Sequence, residues 1–155
     1  MTVRLRPHHL LCLLTYVGRG YGAAFVDNYD RIATRLSAGE DVLIVDGPDD
    51  ICAPLLSDAD AHCHGAGVLG RDRQAARDTG RILRRAIRPG TRLVLPPDRV
   101  GRLRAAFAGG ASRAACAGCE WSGLCDAIAA GGFRGARLFP PEEGAAEAGD
   151  APAGR

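Results

Sequence analysis

The chain contains no lysine; all twenty basic residues among its 155 are arginine. Uniformity of that kind follows genomic base composition more readily than selection for guanidinium chemistry, so by itself it excludes nothing. Aromatic residues are also scarce, with one Trp, three Tyr and four Phe. That removes the aromatic interleaving on which base-stacking nucleic-acid modules depend. No apolar run approaches the ~18–20 residues needed to span a bilayer. No Ser-His-Asp arrangement, phosphate-binding loop or dinucleotide fingerprint is present. Gly18-Arg19-Gly20-Tyr21-Gly22 is only a partial glycine pattern, and it follows a helix candidate rather than a strand.

Arg4 and Arg6 ahead of Leu10-Leu11-Cys12-Leu13-Leu14 give the faint outline of a secretory leader. The run is short, abuts two histidines and carries Cys, Thr and Tyr, so a buried first helix is expected instead. A cytoplasmic, reducing location is expected, where free thiols are the default. No membrane contact is expected, and the sequence leaves the oligomeric state open.

The net charge of +2 conceals an asymmetry. Residues 71–113 carry twelve Arg against Asp72, Asp78 and Asp98, while both flanking regions are acidic. A basic middle can meet nucleic acid or an acidic protein. The plainer expectation is a solvated helix face balanced by acidic neighbours, which makes nucleic acid an unfavoured partner.

Periodicity predicts a mainly helical α+β or α/β single domain over residues 1–139, with about three short strands and a Cys-rich C-terminal loop. Thr2 to Arg6 alternates like a strand. Pro7 opens a helix to about Val17, since a proline at the first helical position loses no intrahelical hydrogen bond. A second helix spans about Ala23 to Ser37 and stops at Gly39. Val42 to Val45 is the best strand, bounded by Asp46-Gly47-Pro48. A helix from about Leu69 to Ile87 has Gly80 as its weak point. Leu93 to Leu95 reads as a third strand, and Asp98 as the cap of a helix to about Phe107. A short helix from about Leu124 to Ala130 ends the domain. Residues 140–155, all Pro, Glu, Gly, Ala and a few charges, read as a disordered tail.

The chemistry lies in the cysteines. Cys116, Cys119 and Cys125 fall within ten residues, with Cys52 and Cys63 upstream. Two thiolates across a small turn converge on one metal, and in a cytoplasmic chain such spacing points to metal rather than disulfides. Thiolates are soft donors, suited to zinc or to iron–sulfur clusters. Zinc sites commonly pair two short knuckles, whereas this is a trio that needs a distant fourth ligand, a spacing that favours iron–sulfur. The fourth ligand is Cys52 or Cys63, and zinc fits the same atoms. Trp121 inside the trio either shields a cluster or anchors the loop. His62 and His64 flank Cys63 and rank behind it as ligands, because alternate residues of an extended segment point apart.

His8, His9 and Cys12 share one helical face. They are secondary metal ligands or a Cys–His nucleophile pair, against the simpler reading of locally bonded histidines beside a core cysteine. Whether the chain is an enzyme stays open. Asp46, Asp49 and Asp50 surround Gly47 and Pro48, and read as a turn with side-chain-to-backbone bonds rather than a hard-metal site.

Three motifs occur in order: Leu5-Arg6-Pro7-His8-His9-Leu10-Leu11-Cys12, Val45-Asp46-Gly47-Pro48-Asp49-Asp50-Ile51-Cys52, and Cys116-x2-Cys119-x-Trp121-x3-Cys125. Together they resemble the small prokaryotic proteins of the domain-of-unknown-function 1284 family, over nearly everything up to about Ala130. Members of that family are regarded as uncharacterised, and the resemblance implies the iron–sulfur-binding description sometimes attached to them. It also implies a further cysteine where this chain has Leu55, which argues against an essential six-thiolate arrangement. The expectation is therefore one metal centre held by Cys116, Cys119, Cys125 and either Cys52 or Cys63. An iron–sulfur cluster for electron transfer or redox sensing, with a redox partner protein, comes first. A zinc-stabilised binding module with an Arg-rich face comes second, and a Cys/His enzyme third.

Overall fold

A computed structural model describes residues 2–19, 22–55, 66–116, 119 and 122–139. Among them the chain forms a mainly helical α+β fold around a three-stranded sheet. Strand β1 (Thr2–Leu5) pairs in parallel with β2 (Asp41–Ile44), which sits centrally and pairs antiparallel with β3 (Arg92–Leu93). Val3 lies opposite Val42 and Leu5 opposite Ile44, so alternation sends all four into the core. A parallel pair needs a long crossover. Here it comprises α1 (His9–Cys12), a 3-10 turn (Leu13–Thr15) and α2 (Ala23–Ser37).

The expected helix to Val17 is thus shorter than the sequence suggests. Its last turn tightens, Tyr16 adopts an extended conformation, and the Tyr16 carbonyl accepts from the Arg137 backbone N–H at 2.9 Å. A tertiary pairing takes over the carbonyl that a continued helix would have used. Leu10, Leu11, Leu13 and Leu14 are all buried, which accounts for the leader-like run: a segment apolar on every side belongs inside.

Helix α2 has the predicted bounds and buries Phe25, Tyr29, Ile32 and Leu36. It ends at Gly39, whose φ of +101° lets Glu40 N–H turn back to the Arg35 carbonyl. Helix α3 (Ala66–Leu83) passes through Gly80 and stops earlier than expected. Arg85 N–H folds back onto the Gly80 carbonyl at 3.1 Å, and a Cβ on Gly80 would stand 2.9 Å from the Arg85 carbonyl oxygen. The glycine does not weaken the helix interior so much as admit the turn that closes it. Helix α4 (Pro97–Ala108) begins with Pro96 as its cap and Pro97 in the first turn, while Asp98 complements the N-terminal dipole. A 3-10 turn (Ala114–Cys116) and α5 (Ser122–Ala130) complete the described elements. Residues 140–155, read as a disordered tail, lie outside the described residues.

Two contacts tie the ends of the chain to the site. Helix α3 carries Asp72 to the start of α1, and α5 packs against the 3-10 turn that follows α1. Tyr16 stacks on Tyr29 with centroids 3.8 Å apart, and Phe107 meets Phe133 edge-on at 6.1 Å.

Candidate metal centre

Two buried carboxylates organise the entry to α1. The Asp49 side chain is fully shielded from solvent. Its Oδ1 accepts from the backbone N–H groups of Ile51 and Cys52 at 3.0 and 3.1 Å. Its Oδ2 accepts from Arg6 N–H at 2.8 Å and bonds His9 Nδ1 at 2.6 Å. Burial pushes its pKa up, but His9 and the backbone donors more than reverse this and hold it below the usual carboxylate range. The turn bonds expected of Asp49 are present, and the same carboxylate also clamps β1 and α1.

Asp72 repeats the device from α3. It accepts from the backbone N–H of His8 at 3.2 Å, bonds His8 Nδ1 at 2.6 Å and takes Arg6 Nε at 2.9 Å. Arg6 itself is among the largest fully buried side chains. A carboxylate only accepts, so each imidazole carries its proton on Nδ1 and leaves Nε2 for other use. Burial pushes the His8 pKa down to about 4, with help from His9 and Arg6 and against the pull of Asp72. His8 is therefore neutral at neutral pH, and Arg6 matches the Asp72 charge.

Beyond the histidines, Cys12, Cys116, Cys119 and Cys125 are free thiols of intermediate exposure. All four line one cavity of about 150 Å³. Cys12 arrives on α1, Cys116 ends a 3-10 turn, and Cys125 sits on α5. Cys119 is held between them by backbone bonds, donating to Cys116 O at 3.0 Å and accepting from Ser122 at 3.1 Å. Burial raises the Cys12 pKa well above normal, and the neighbouring sulfurs of Cys125, Cys119 and Cys116 raise it further. Burial likewise raises Cys125, although the Thr15 hydroxyl 3.1 Å away pulls the other way. A bound cation would relieve the opposition that Cys12 and Cys125 meet on ionising, and all four thiols are soft donors.

The family described as "Protein of unknown function (DUF1284)" matches residues 20–125. The chain belongs to this family. No curated protein and no solved structure matches it. The DUF1284 match begins after Cys12 and closes on Cys125, so it encloses the trio together with Cys52 and Cys63.

Of the residues the sequence singles out in this DUF1284 protein, Cys63, His62, His64 and Trp121 lie outside the described residues. Cys52 lines the same cavity as the four thiols and is disulfide-bonded. Among the described residues, His9, Asp49 and Cys52 form the one group in which three ligand atoms lie within 4.8 Å of one another. The sequence gives no sign of Thr15 or Tyr29 at the cavity, or of Arg113 beside the Cys116 sulfur. Thr15 follows Cys12 at helical spacing, and that was the one available hint. Tyr29 is buried and its hydroxyl has no hydrogen-bond partner among the described residues. Arg113 lies over the Phe107 ring at 4.4 Å, pairs with Asp126 and interacts with the Cys116 sulfur.

The Arg-rich middle is largely occupied internally. Arg81 pairs with Asp78, Arg92 with Asp41, and Arg104 donates to the carbonyls of Leu138 and Phe139. No helix among the described residues is long and apolar enough to cross a membrane.

Proposed function

We propose that this DUF1284 protein carries one metal centre on Cys12, Cys116, Cys119 and Cys125, and that the centre is an iron–sulfur cluster. The fourth ligand in this reading is Cys12, a free thiol that lines the cavity of the trio and has all three of its sulfurs as electrostatic neighbours. The observation that carries the reading is the gathering of four free thiols on one cavity of about 150 Å³. Their order in the chain, a trio with a distant fourth, suits a cluster, whose own bulk lets ligands approach from several directions.

The surroundings fit the same group. Thr15 at Cys125 and Arg113 at Cys116 supply donors to thiolate sulfur, and the buried Tyr29 hydroxyl is an unused donor beside the cavity. When bound, such a cluster supplies one-electron transfer. Electron transfer or redox sensing in a reducing cytoplasm, with a redox partner protein, is the corresponding role. The test is spectroscopic. Anaerobically purified protein should be brown, contain iron and sulfide, and lose its visible absorption on oxidation. A colourless protein with one zinc per chain would overturn the cluster in favour of a zinc-stabilised module.

A further inference from the structure

Tyr16 and Tyr29 stack with ring centroids 3.8 Å apart and planes 3° from parallel, and both line the thiol cavity. Their hydroxyls differ. That of Tyr16 meets Asp30 Oδ1 at 2.8 Å and the Val26 carbonyl at 3.1 Å. That of Tyr29 has no partner among the described residues, although the residue is only 5% exposed. We propose that Tyr29 is a hydrogen-bond donor reserved for the loaded centre, its O–H serving the anionic sulfur of a cluster held by the four thiols. The proposal rests on the cluster reading and adds to it a residue that the free thiols do not use.

A buried hydroxyl without an acceptor costs folding free energy, and buried tyrosines usually find a partner. Packing alone does not account for this one. Helix α2 fixes the Tyr29 ring between the Tyr16 face and the edge of Phe25, whose centroid is 5.6 Å away at 80°. A phenylalanine would make the same two ring contacts and bury no polar atom. The clamp also denies the hydroxyl a search for other acceptors, so the donor is oriented in advance, as a group that acts on a bound charge should be.

The chemistry of the cavity supplies the missing acceptor. A protonated thiol is a weak acceptor, whereas thiolate or sulfide sulfur is anionic and takes a charge-assisted bond. Burial, and then the charges of Cys12 and Asp49, push the Tyr29 pKa well above its ordinary value. The phenol therefore keeps its proton beside the sulfurs and donates rather than adding another negative charge.

The full-length chain, as wild type, Tyr29→Phe and Tyr16→Phe, is tested metal-free and after anaerobic loading with iron and sulfide. Metal-free Tyr29→Phe should be at least as stable in urea as wild type, since it loses only an unpartnered hydroxyl. Loaded, it should hold iron roughly tenfold less tightly against a chelator, and its midpoint potential should move to a more negative value, because a donor to sulfur favours the reduced state. Tyr16→Phe is the control and should show the reverse, with an unfolding constant about fivefold larger when metal-free and an unchanged potential. A purely structural hydroxyl would destabilise the metal-free protein and leave the potential alone, and that result in Tyr29→Phe would overturn the proposal. Wild type that loads while Tyr29→Phe matches it in iron retention and potential would sink the role of Tyr29 and leave the cluster reading standing. Wild type that assembles no cluster would sink both.

Discussion

Thr15 Oγ1 lies 3.1 Å from Cys125 Sγ, joining residues 110 positions apart. The hydroxyl comes from the 3-10 turn that cut the first helix short, and the sulfur from α5. The shortened helix and the assembled thiol site are therefore one feature of the fold. When Cys125 ionises the hydroxyl must donate, which favours the thiolate against the opposing effect of burial. Thr15→Val keeps the shape and removes the donor. In metal-free protein Cys125 should then alkylate several-fold more slowly at pH 8, read by mass spectrometry, with about 1 kcal/mol lost from folding stability. An unchanged rate would mean that the contact does not act on the thiol. In the metal-loaded protein the same variant should show a more negative midpoint potential, because a donor to sulfur stabilises the reduced, more negative state.

Cys12 and Cys52 can be told apart as ligands of the four-thiol centre. Cys12→Ser should reduce iron and sulfide per chain to near zero, whereas Cys52→Ser should leave them close to wild type. The volumes are nearly conserved, so both variants should stay folded by far-ultraviolet circular dichroism. Retention of full metal in Cys12→Ser, with loss in Cys52→Ser, would return the fourth position to Cys52.

The sequence shows most of the framework because its patterns are local. The alternation of β1, the spacing of Phe25, Tyr29, Ile32 and Leu36, and the stop at Gly39 each depend on residues within a few positions. The trio was legible for the same reason. What was not legible depends on contacts between distant segments. Asp49 reads as a turn residue and is one, yet its second oxygen reaches Arg6 and His9 some forty positions away. Asp72 sits in an Arg-rich stretch and reads as a surface balance, but is buried against Arg6 and His8. Cys12 looks like a small core residue among leucines, and only the return of α5 brings the other thiols to it. No periodicity encodes such meetings.

Asp72 gives a stability test of that kind. Arg6 is 1% exposed and its Nε donates to Asp72 at 2.9 Å. Removing the carboxylate takes one charged partner from the buried Arg6 and the acceptor from His8, which costs about 3 kcal/mol. Asp72→Ala should cost that much in urea unfolding. Asp78→Ala on the same helix removes an equally buried carboxylate, but the charge left behind, on the half-exposed Arg81, is in water, so it should cost less than Asp72→Ala. Similar losses in the two variants would show that the Arg6–Asp72 pair is no more than a helix-surface interaction.

His8 sets the pH dependence. Its pKa falls from an ordinary 6.5 to about 4 in the folded protein, chiefly through burial. A group that stays neutral when folded but protonates when unfolded lets the unfolded chain bind the proton first. Its contribution to stability is therefore complete above about pH 6.5, declines as the pH falls towards 4, and has gone below that. At 1.36 kcal/mol per pKa unit the loss across this window is about 3 kcal/mol. Asp49 and Asp72 act in a lower window. Their pKa values are held below the ordinary carboxylate value, so their contribution is present above about pH 4 and is lost only as the pH falls below it. The urea midpoint should thus fall between pH 6.5 and 4.5, and then fall again in stronger acid. His8→Asn keeps a donor for Asp72 but does not titrate. It should flatten the upper window and preserve the lower one. A variant that keeps the full slope between pH 6.5 and 4.5 would assign that slope to some group other than His8.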